Sequence, residues 1–272
     1  MNDASTTTYS LGASDHEIAR LDQQAAAIEP PTRVLLRAAG IGPGMRVLDL
    51  GTGLGHVASL VAELVGPEGR VVGVDNSARL LAVASTRAAG RPQLRFVEGD
   101  VRTWRDDEPF DVVVGRLILF HMADPVGVLR HHVAALRPGG LLLALDFDVA
   151  AARAEPDVPQ VAEATRWVIA AFQRAGASPT IGTRLKLLLE QAGLVEVLGF
   201  GIQGYLAPDD PRGPGLLSAV VHSLAPHILA AGLATPEQID PDRLRAHLAE
   251  AVRSAGAVFL PPVLAGAWGR RA

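Results

Sequence analysis

Val47-Leu48-Asp49-Leu50-Gly51-Thr52-Gly53-Leu54-Gly55 is a short apolar run that ends in spaced glycines, and a helical pattern follows it from His56 to Val65. Four residues are too few for a helix and suit a strand buried on both faces. Glycines at a strand-to-helix turn let the backbone take positive φ and approach a ligand closely. Outward from this turn the same alternation repeats. Strand-like runs fall at Val71–Val74, Leu94–Val97, Val112–Val114 and Leu141–Leu145, with helical stretches at Ala78–Ala88 and Pro125–Leu136. Pro138-Gly139-Gly140 reads as the turn between the last of these helices and the fifth strand. The pattern predicts an α/β fold, a doubly wound parallel sheet with crossover helices.

The flanks are less regular. Ile18, Leu21, Ala25 and Ile28 recur at helical spacing until Pro30-Pro31, which should end that helix before a second short one at Val34–Ala39. Beyond Phe147, helical patterns at Val161–Ala175, Thr183–Ala192, Leu216–Ala231 and Pro236–Ser254 surround a sixth strand at Val195–Phe200. The last apolar stretch, Val258–Trp268, is strand-like, with Pro261-Pro262 pointing to an edge or a bulge. The expected division is an N-terminal helical lid segment (1–40), a ligand-binding core (41–150) and the rest of the sheet with helical lid insertions (151–272).

Composition narrows the function classes. The 272 residues carry a net charge of −4, so no basic footprint speaks for nucleic acid. The chain has no cysteine, which excludes disulfides, thiolate metal sites and a cysteine nucleophile. The N-terminus lacks the apolar core of a signal peptide, and no apolar run reaches the roughly 18–20 residues of a membrane helix. The expectation is a soluble, cytoplasmic protein, monomer or homodimer, with neither membrane nor nucleic acid as partner.

Acids accompany the glycines. Asp49 lies two residues before Gly51, Asp75 ends the second strand, and Asp100 follows the third. Open α/β sheets bind ligands at the carboxyl ends of their strands, and an acid after the second strand is placed to accept ribose hydroxyls. A single acid there could be a helix cap; three in register point to a ligand.

VLDLGTGLG, VVGVD, FVEGDV, FDVVVGRLILFHMADP and LRPGG together resemble, in order and spacing, the successive motifs of class I S-adenosylmethionine-dependent methyltransferases, over roughly Met45 to Phe147. Tyr9-Ser10-Leu11-Gly12 with Arg20-Leu21 and Gln24 resembles the opening segment of small-molecule members. The resemblance implies a Rossmann-like seven-stranded sheet, mostly parallel with the last strand antiparallel, under a helical lid, and S-adenosyl-L-methionine as cofactor. It also implies roles. Gly51 and Gly53 would pack against the methionine portion, with Asp49 near its ammonium and the backbone of Arg116 facing it. Asp75 would hold the ribose, Asn76 would lie beside the adenine, and Asp100 with the Val101 amide would bond the adenine edge. Tyr9 or Gln24 would close over the carboxylate. A nicotinamide-dependent oxidoreductase shares the first turn and first acid. Its fingerprint, however, has Gly or Ala where His56 stands, and it leaves Asp100 and LRPGG unexplained.

The resemblance implies methyl transfer to a small, largely apolar molecule, such as a secondary metabolite, by direct SN2 displacement. The alternative is a non-methylating reaction on the same cofactor. His121, after the fourth strand, is the candidate general base, or else a residue that only shapes the pocket. Asp146, Asp148, Trp167 and His222 are candidate substrate-pocket residues, and Phe172, Leu216, Leu217 and Leu224 supply apolar lid surface. Two carboxylates are too few for a divalent ion, so no metal is expected. His131-His132 reads as structural and His56 as a local cap.

Overall fold

The computed structural model describes residues 15–272, with side chains from residue 18 onward. Helix α1 (Asp15–Ala38) leads into β1 (Arg46–Leu50), α2 (His56–Val65), β2 (Arg70–Asp75), α3 (Ala78–Arg87), β3 (Leu94–Glu98), β4 (Phe110–Arg116), α4 (Pro125–Val133) and β5 (Leu136–Asp148). The second half adds β6 (Arg153–Glu155), α5 (Pro159–Arg174), α6 (Leu185–Gln191), β7 (Leu194–Ile202), α7 (Arg212–Ser223), α8 (Ala225–Ala230), α9 (Pro241–Ser254), β8 (Val258–Leu260) and β9 (Val263–Arg271). The large sheet has the order β3-β2-β1-β4-β5-β9-β7. Strands β1 to β5 pair in parallel, and β9 runs antiparallel to both β5 and β7. This is the expected seven-stranded Rossmann-like sheet. The strand order reverses between β1 and β4, and a crevice opens there at the carboxyl ends.

Strand alternation builds two cores. Leu48, Leu50, Val72, Val74, Val113 and Leu142 face one layer, shared with α5 and α6. Val47, Val71, Val112, Val114, Leu141 and Leu143 face the other, with α1 and α2. Burying each such side chain contributes about 1.5–3 kcal/mol, which explains why four-residue runs suffice to define the strands.

Four expectations need correction. Helix α1 does not end at Pro30-Pro31 but continues to Ala38. The prolines remove two backbone donors, yet the Thr32 hydroxyl donates to the Ile28 carbonyl at 2.6 Å and Leu35 and Leu36 are buried beyond them. Tertiary burial outweighs the local break. Pro138-Gly139-Gly140 is a bulge inside β5 rather than a turn before it. The β4–β5 register jumps from Phe110↔Leu136 to Val112↔Leu141, with Gly139 at φ +72°. The expected helix Leu216–Ala231 is two helices, with Pro226 in the first turn of α8. The final strand is also two, because Pro261 and Pro262 cannot donate to a ladder. Of these two, β8 pairs with β6 in a separate ribbon and β9 joins the large sheet.

Helices α5, α7, α8 and α9 pack against one another as a helical cap. Among the described residues no helix is long and apolar enough to cross a membrane.

Candidate active site

Strand β1 delivers the chain to a turn in which Gly51, Gly53 and Gly55 all take positive φ. At Gly51 the backbone conformation demands glycine: φ is +63°, and a Cβ would in addition push aside the end of the Ile118 side chain, 2.6 Å away at Cδ1. Gly51→Ala is therefore expected to cost about 1–2 kcal/mol in backbone strain alone, a fall of roughly 2–8 °C in melting temperature. Thermal denaturation checks this, and an unchanged Tm would mean the turn is not held as described.

Under the turn, Asp49 is fully buried and accepts the Thr52 hydroxyl at 2.7 Å. Burial pushes its pKa up to about 7, against the pull of Thr52 and the nearby Arg116 charge. Arg116, at the end of β4, donates from Nη1 to the Thr32 hydroxyl at 3.1 Å and so ties the strand to α1. Burial lowers its pKa to about 10, which still leaves it cationic at neutral pH. The next residue, Leu117, takes φ +57° and donates its N–H to the Leu145 carbonyl at 2.8 Å. A left-handed leucine is strained, and here it turns the chain out of β4 toward the 3-10 turn Leu119–His121.

Asp75, at the end of β2, accepts the Gly53 N–H at 2.8 Å and the Ser77 N–H at 2.9 Å. Burial raises its pKa while those amides pull it down. Asp100 is turned to Arg102, whose Nε lies 2.9 Å from its carboxylate and holds its pKa below the usual range. Val101 is buried. Gln24 accepts from Arg20 at 2.7 Å. His121 stacks edge-on against Phe120, with ring centroids 5.0 Å apart. Burial, and then the nearby Arg20 charge, lower its pKa below the ordinary histidine value, so its ring is neutral at pH 7.

These residues share one cavity of about 1260 Å³, lined by Gln24, Gly51, Gly53, Asp75, Asn76, Asp100, Val101, Arg116 and His121. The same cavity carries Val168, Phe172, Leu216, Leu217, Leu224 and Phe259 from the cap and β8. A single small-molecule site takes up about 300–1,000 Å³, so this one has room for a second molecule. An S-adenosylmethionine group fits the residues present: Asp75 as an acceptor for the ribose, Asp100 and Val101 beside it on the wall, and a turn at Gly51 that leaves room where a side chain would stand.

The structure does not bring every candidate to the cavity. Asp146 and Asp148 share a face of β5, but the intervening Phe147 and the following Val149 line the cavity instead. Asp146 lies buried beneath the His121 turn and accepts the Phe120 N–H at 3.1 Å; Asp148 caps Ala150 at 3.2 Å. On α5 the cavity stripe is Thr165, Val168 and Phe172, and Trp167 lies off it in the core. On α7 the stripe is Leu216, Leu217 and Val220, and His222 points away and is exposed. Asp49 sits beneath the cavity wall rather than on it. Tyr9 lies outside the described residues.

Two features escaped the sequence reading. Asp22 accepts His56 Nε2 at 2.9 Å and Arg87 in bidentate fashion at 2.7 and 2.8 Å, latching α1 to the start of α2 and the end of α3. His56 is thus a tether, not a local cap. His131 and His132 reach the carbonyls of Trp104 and Val101 at 2.8 and 2.6 Å. No local spacing announces either set, because the partners lie 27 to 65 residues apart.

The sheet order, the glycine turn and the acids at the strand ends define a class I nucleotide-type fold of the kind that methyltransferases use. Residues 41–193 match the family model described as a methyltransferase domain. The chain belongs to that family, as a class I S-adenosylmethionine-dependent methyltransferase. It is 33% identical over 181 residues to an uncharacterised 37.1 kDa transposon protein of Streptomyces fradiae, covering 65% of this chain and 52% of that one. It is 38% identical over 100 residues to the trans-aconitate 2-methyltransferase of Streptomyces avermitilis, covering 36% of this chain and 37% of that one. The chain thus spans about half the length, or less, of these curated relatives. Among solved structures it is similar to a Haemonchus contortus phosphoethanolamine N-methyltransferase held with S-adenosylhomocysteine. There the TM-score is 0.56 and the identity 18%, over 89% of this chain and 52% of that one.

Proposed function

We propose that the protein transfers a methyl group from S-adenosylmethionine to a small, largely apolar acceptor, of the kind found in secondary metabolism. The observation that carries this is one continuous cavity, polar at the strand ends and apolar where α5, α7 and β8 meet it. The named relatives act on trans-aconitate and phosphoethanolamine, two unlike small molecules. The acceptor is therefore set by the cap of this chain rather than by its family core. In this reading residues 151–272 supply the cap and the outer sheet, α1 closes the cavity from the other side, and 41–150 hold the cofactor.

S-Adenosylmethionine, when bound, supplies a methyl already activated as a sulfonium. The chain's own residues bind, orient and exclude water. Asp75 takes the ribose diol, Asp100 and the Val101 amide take the adenine edge, and Gln24 closes from α1. Arg116, held by Thr32 beside Asp49, balances charge at the methionine end. His121, neutral at pH 7, takes a proton from an acceptor O–H or N–H.

Calorimetry with S-adenosylhomocysteine, then S-adenosylhomocysteine release with a panel of apolar phenols, acids and amines, tests this. Binding with turnover of an apolar acceptor is expected. No binding, or turnover of charged acceptors alone, would overturn it. His121→Gln is expected to lower kcat by about 10²-fold and to leave cofactor affinity within about twofold. In the wild type the rate should fall as pH drops through the lowered His121 pKa, and the variant should lose that limb. An equal rate in the variant removes the base.

A further inference from the structure

Helix α4 carries two adjacent histidines, and both reach across to the segment that follows β3. That segment turns tightly: the N–H groups of Thr103 and Trp104 donate to the Asp100 carbonyl at 3.0 and 2.8 Å. The carbonyls of Val101 and Trp104 face outward from this turn, and the histidines take them. His132 Nε2 lies 2.6 Å from the Val101 oxygen, and His131 Nε2 lies 2.8 Å from the Trp104 oxygen. Asp124 caps the helix by accepting the Gly127 N–H at 2.9 Å, so the histidines project from a fixed element.

The two differ in burial. His131 is partly exposed and also meets Arg105 at 3.3 Å. His132 is fully buried, and its Nδ1 is buried without a hydrogen-bond partner. A carbonyl can only accept, so Nε2 carries the proton and Nδ1 is bare. Burial lowers the pKa of His132 to about 4, against the Val101 bond and with the His131 and Arg105 charges adding to the fall. The ring is therefore a neutral, single-tautomer donor at any pH near neutrality. For packing alone a leucine would serve α4 better, because it leaves no orphaned nitrogen in the core. What the imidazole adds is one hydrogen bond, made to a residue that lines the cavity.

We propose that His132 is a positioning residue for cofactor recognition: through the Val101 carbonyl it fixes the Asp100–Val101 segment at the height where it reads the adenine edge. This rests on the assignment of Asp100 and Val101 to the adenine. His131 supports the far end of the same turn.

His132→Leu removes the donor and keeps an apolar volume, and His132→Gln offers an amide N–H to the same carbonyl. By calorimetry, Leu is expected to weaken S-adenosylhomocysteine binding about three- to tenfold, the loss of one net hydrogen bond, and Gln to recover most of it. The preference for adenosine over inosine should shrink with Leu and return with Gln. In the cofactor-free protein, hydrogen exchange at Thr103 and Trp104 should quicken in the Leu variant, while Val47–Leu50 in β1 stays protected. Equal affinity and exchange in wild type and His132→Leu would overturn the proposal, as would Gln behaving like Leu or faster exchange spread equally into β1. Should the wild type itself not bind S-adenosylhomocysteine, the adenine assignment fails and takes this proposal with it. Wild-type binding with an unaffected Leu variant refutes the positioning role alone.

Discussion

Asp75→Ala is expected to weaken S-adenosylhomocysteine binding by about 10²- to 10⁴-fold. An ionised carboxylate offers about four acceptor sites. The Gly53 N–H at 2.8 Å and the Ser77 N–H at 2.9 Å engage it within the protein, and the Asn76 amide also pulls on it. The acceptor capacity left over belongs to a group that lines the cavity, where a ribose diol can reach it. Two charge-assisted hydrogen bonds are worth at most about 1.5–3 kcal/mol each, which gives the range quoted. The substitution also strips an acceptor from the Gly53 amide, so the glycine turn loosens with the ribose contact. Asp75→Asn should fall between, since its amide keeps one acceptor oxygen but faces a backbone N–H with a donor. Burial raises the Asp75 pKa, and affinity should therefore decline as pH falls toward that raised value. Calorimetry of the three proteins, with melting curves to confirm folding, decides the matter. An alanine variant within twofold of wild type would remove the ribose assignment.

What could be read from the chain follows from how far each interaction reaches. The strands Val47–Leu50, Val71–Val74 and Val112–Val114 were legible because burial on both faces writes itself as a continuous apolar run. The turn at Gly51 and the acids Asp75 and Asp100 were legible because backbone geometry and strand ends fix them locally. Pro30-Pro31 misled because the helix past them is held by Leu35 and Leu36 against the sheet, a contact no local rule contains. The position of the His121 turn after β4 follows from the strand pattern, but its support by Asp146 does not. Asp146 reads as a pocket acid at a strand end, whereas alternation along β5 gives the cavity to Phe147, and Val149 in the turn that follows lines it too. The Asp22 latch and the His132 bond join segments distant in sequence, and their residue types are too common to signal a partner.

Asp146 also yields a stability prediction that needs no ligand. Its side chain is 1% exposed, Oδ2 accepts the Phe120 N–H at 3.1 Å, and Oδ1 is buried with no hydrogen-bond partner. Burial pushes its pKa up to about 7 from 3.8. In the unfolded chain the group ionises near 4, and in the folded protein only near 7. Between those values the folded state holds the extra proton, so stability falls as pH rises through the window and stays reduced above it. Three pKa units correspond to about 4 kcal/mol, an upper bound because water and relaxation soften burial. Asp146→Asn keeps an oxygen for the Phe120 N–H and cannot ionise. Between pH 5 and pH 8 its advantage over wild type should therefore grow by about 2.5–3 kcal/mol, roughly 5–12 °C in Tm. At pH 5 the folded wild-type carboxyl is still neutral while the unfolded one is already ionised, so about 1.6 kcal/mol of the penalty is present there, set against the cost of the buried amide in the variant. Asp49, with a similar pKa, is present in both and cancels. Asp146→Ala is the contrasting case: it orphans the Phe120 amide, destabilises at every pH, and frees the turn that carries His121. Thermal melts of wild type and Asp146→Asn across pH 5–8 provide the measurement. A Tm difference that is the same at both ends would show that Asp146 is ionised throughout, and that its buried carboxylate is satisfied in some other way.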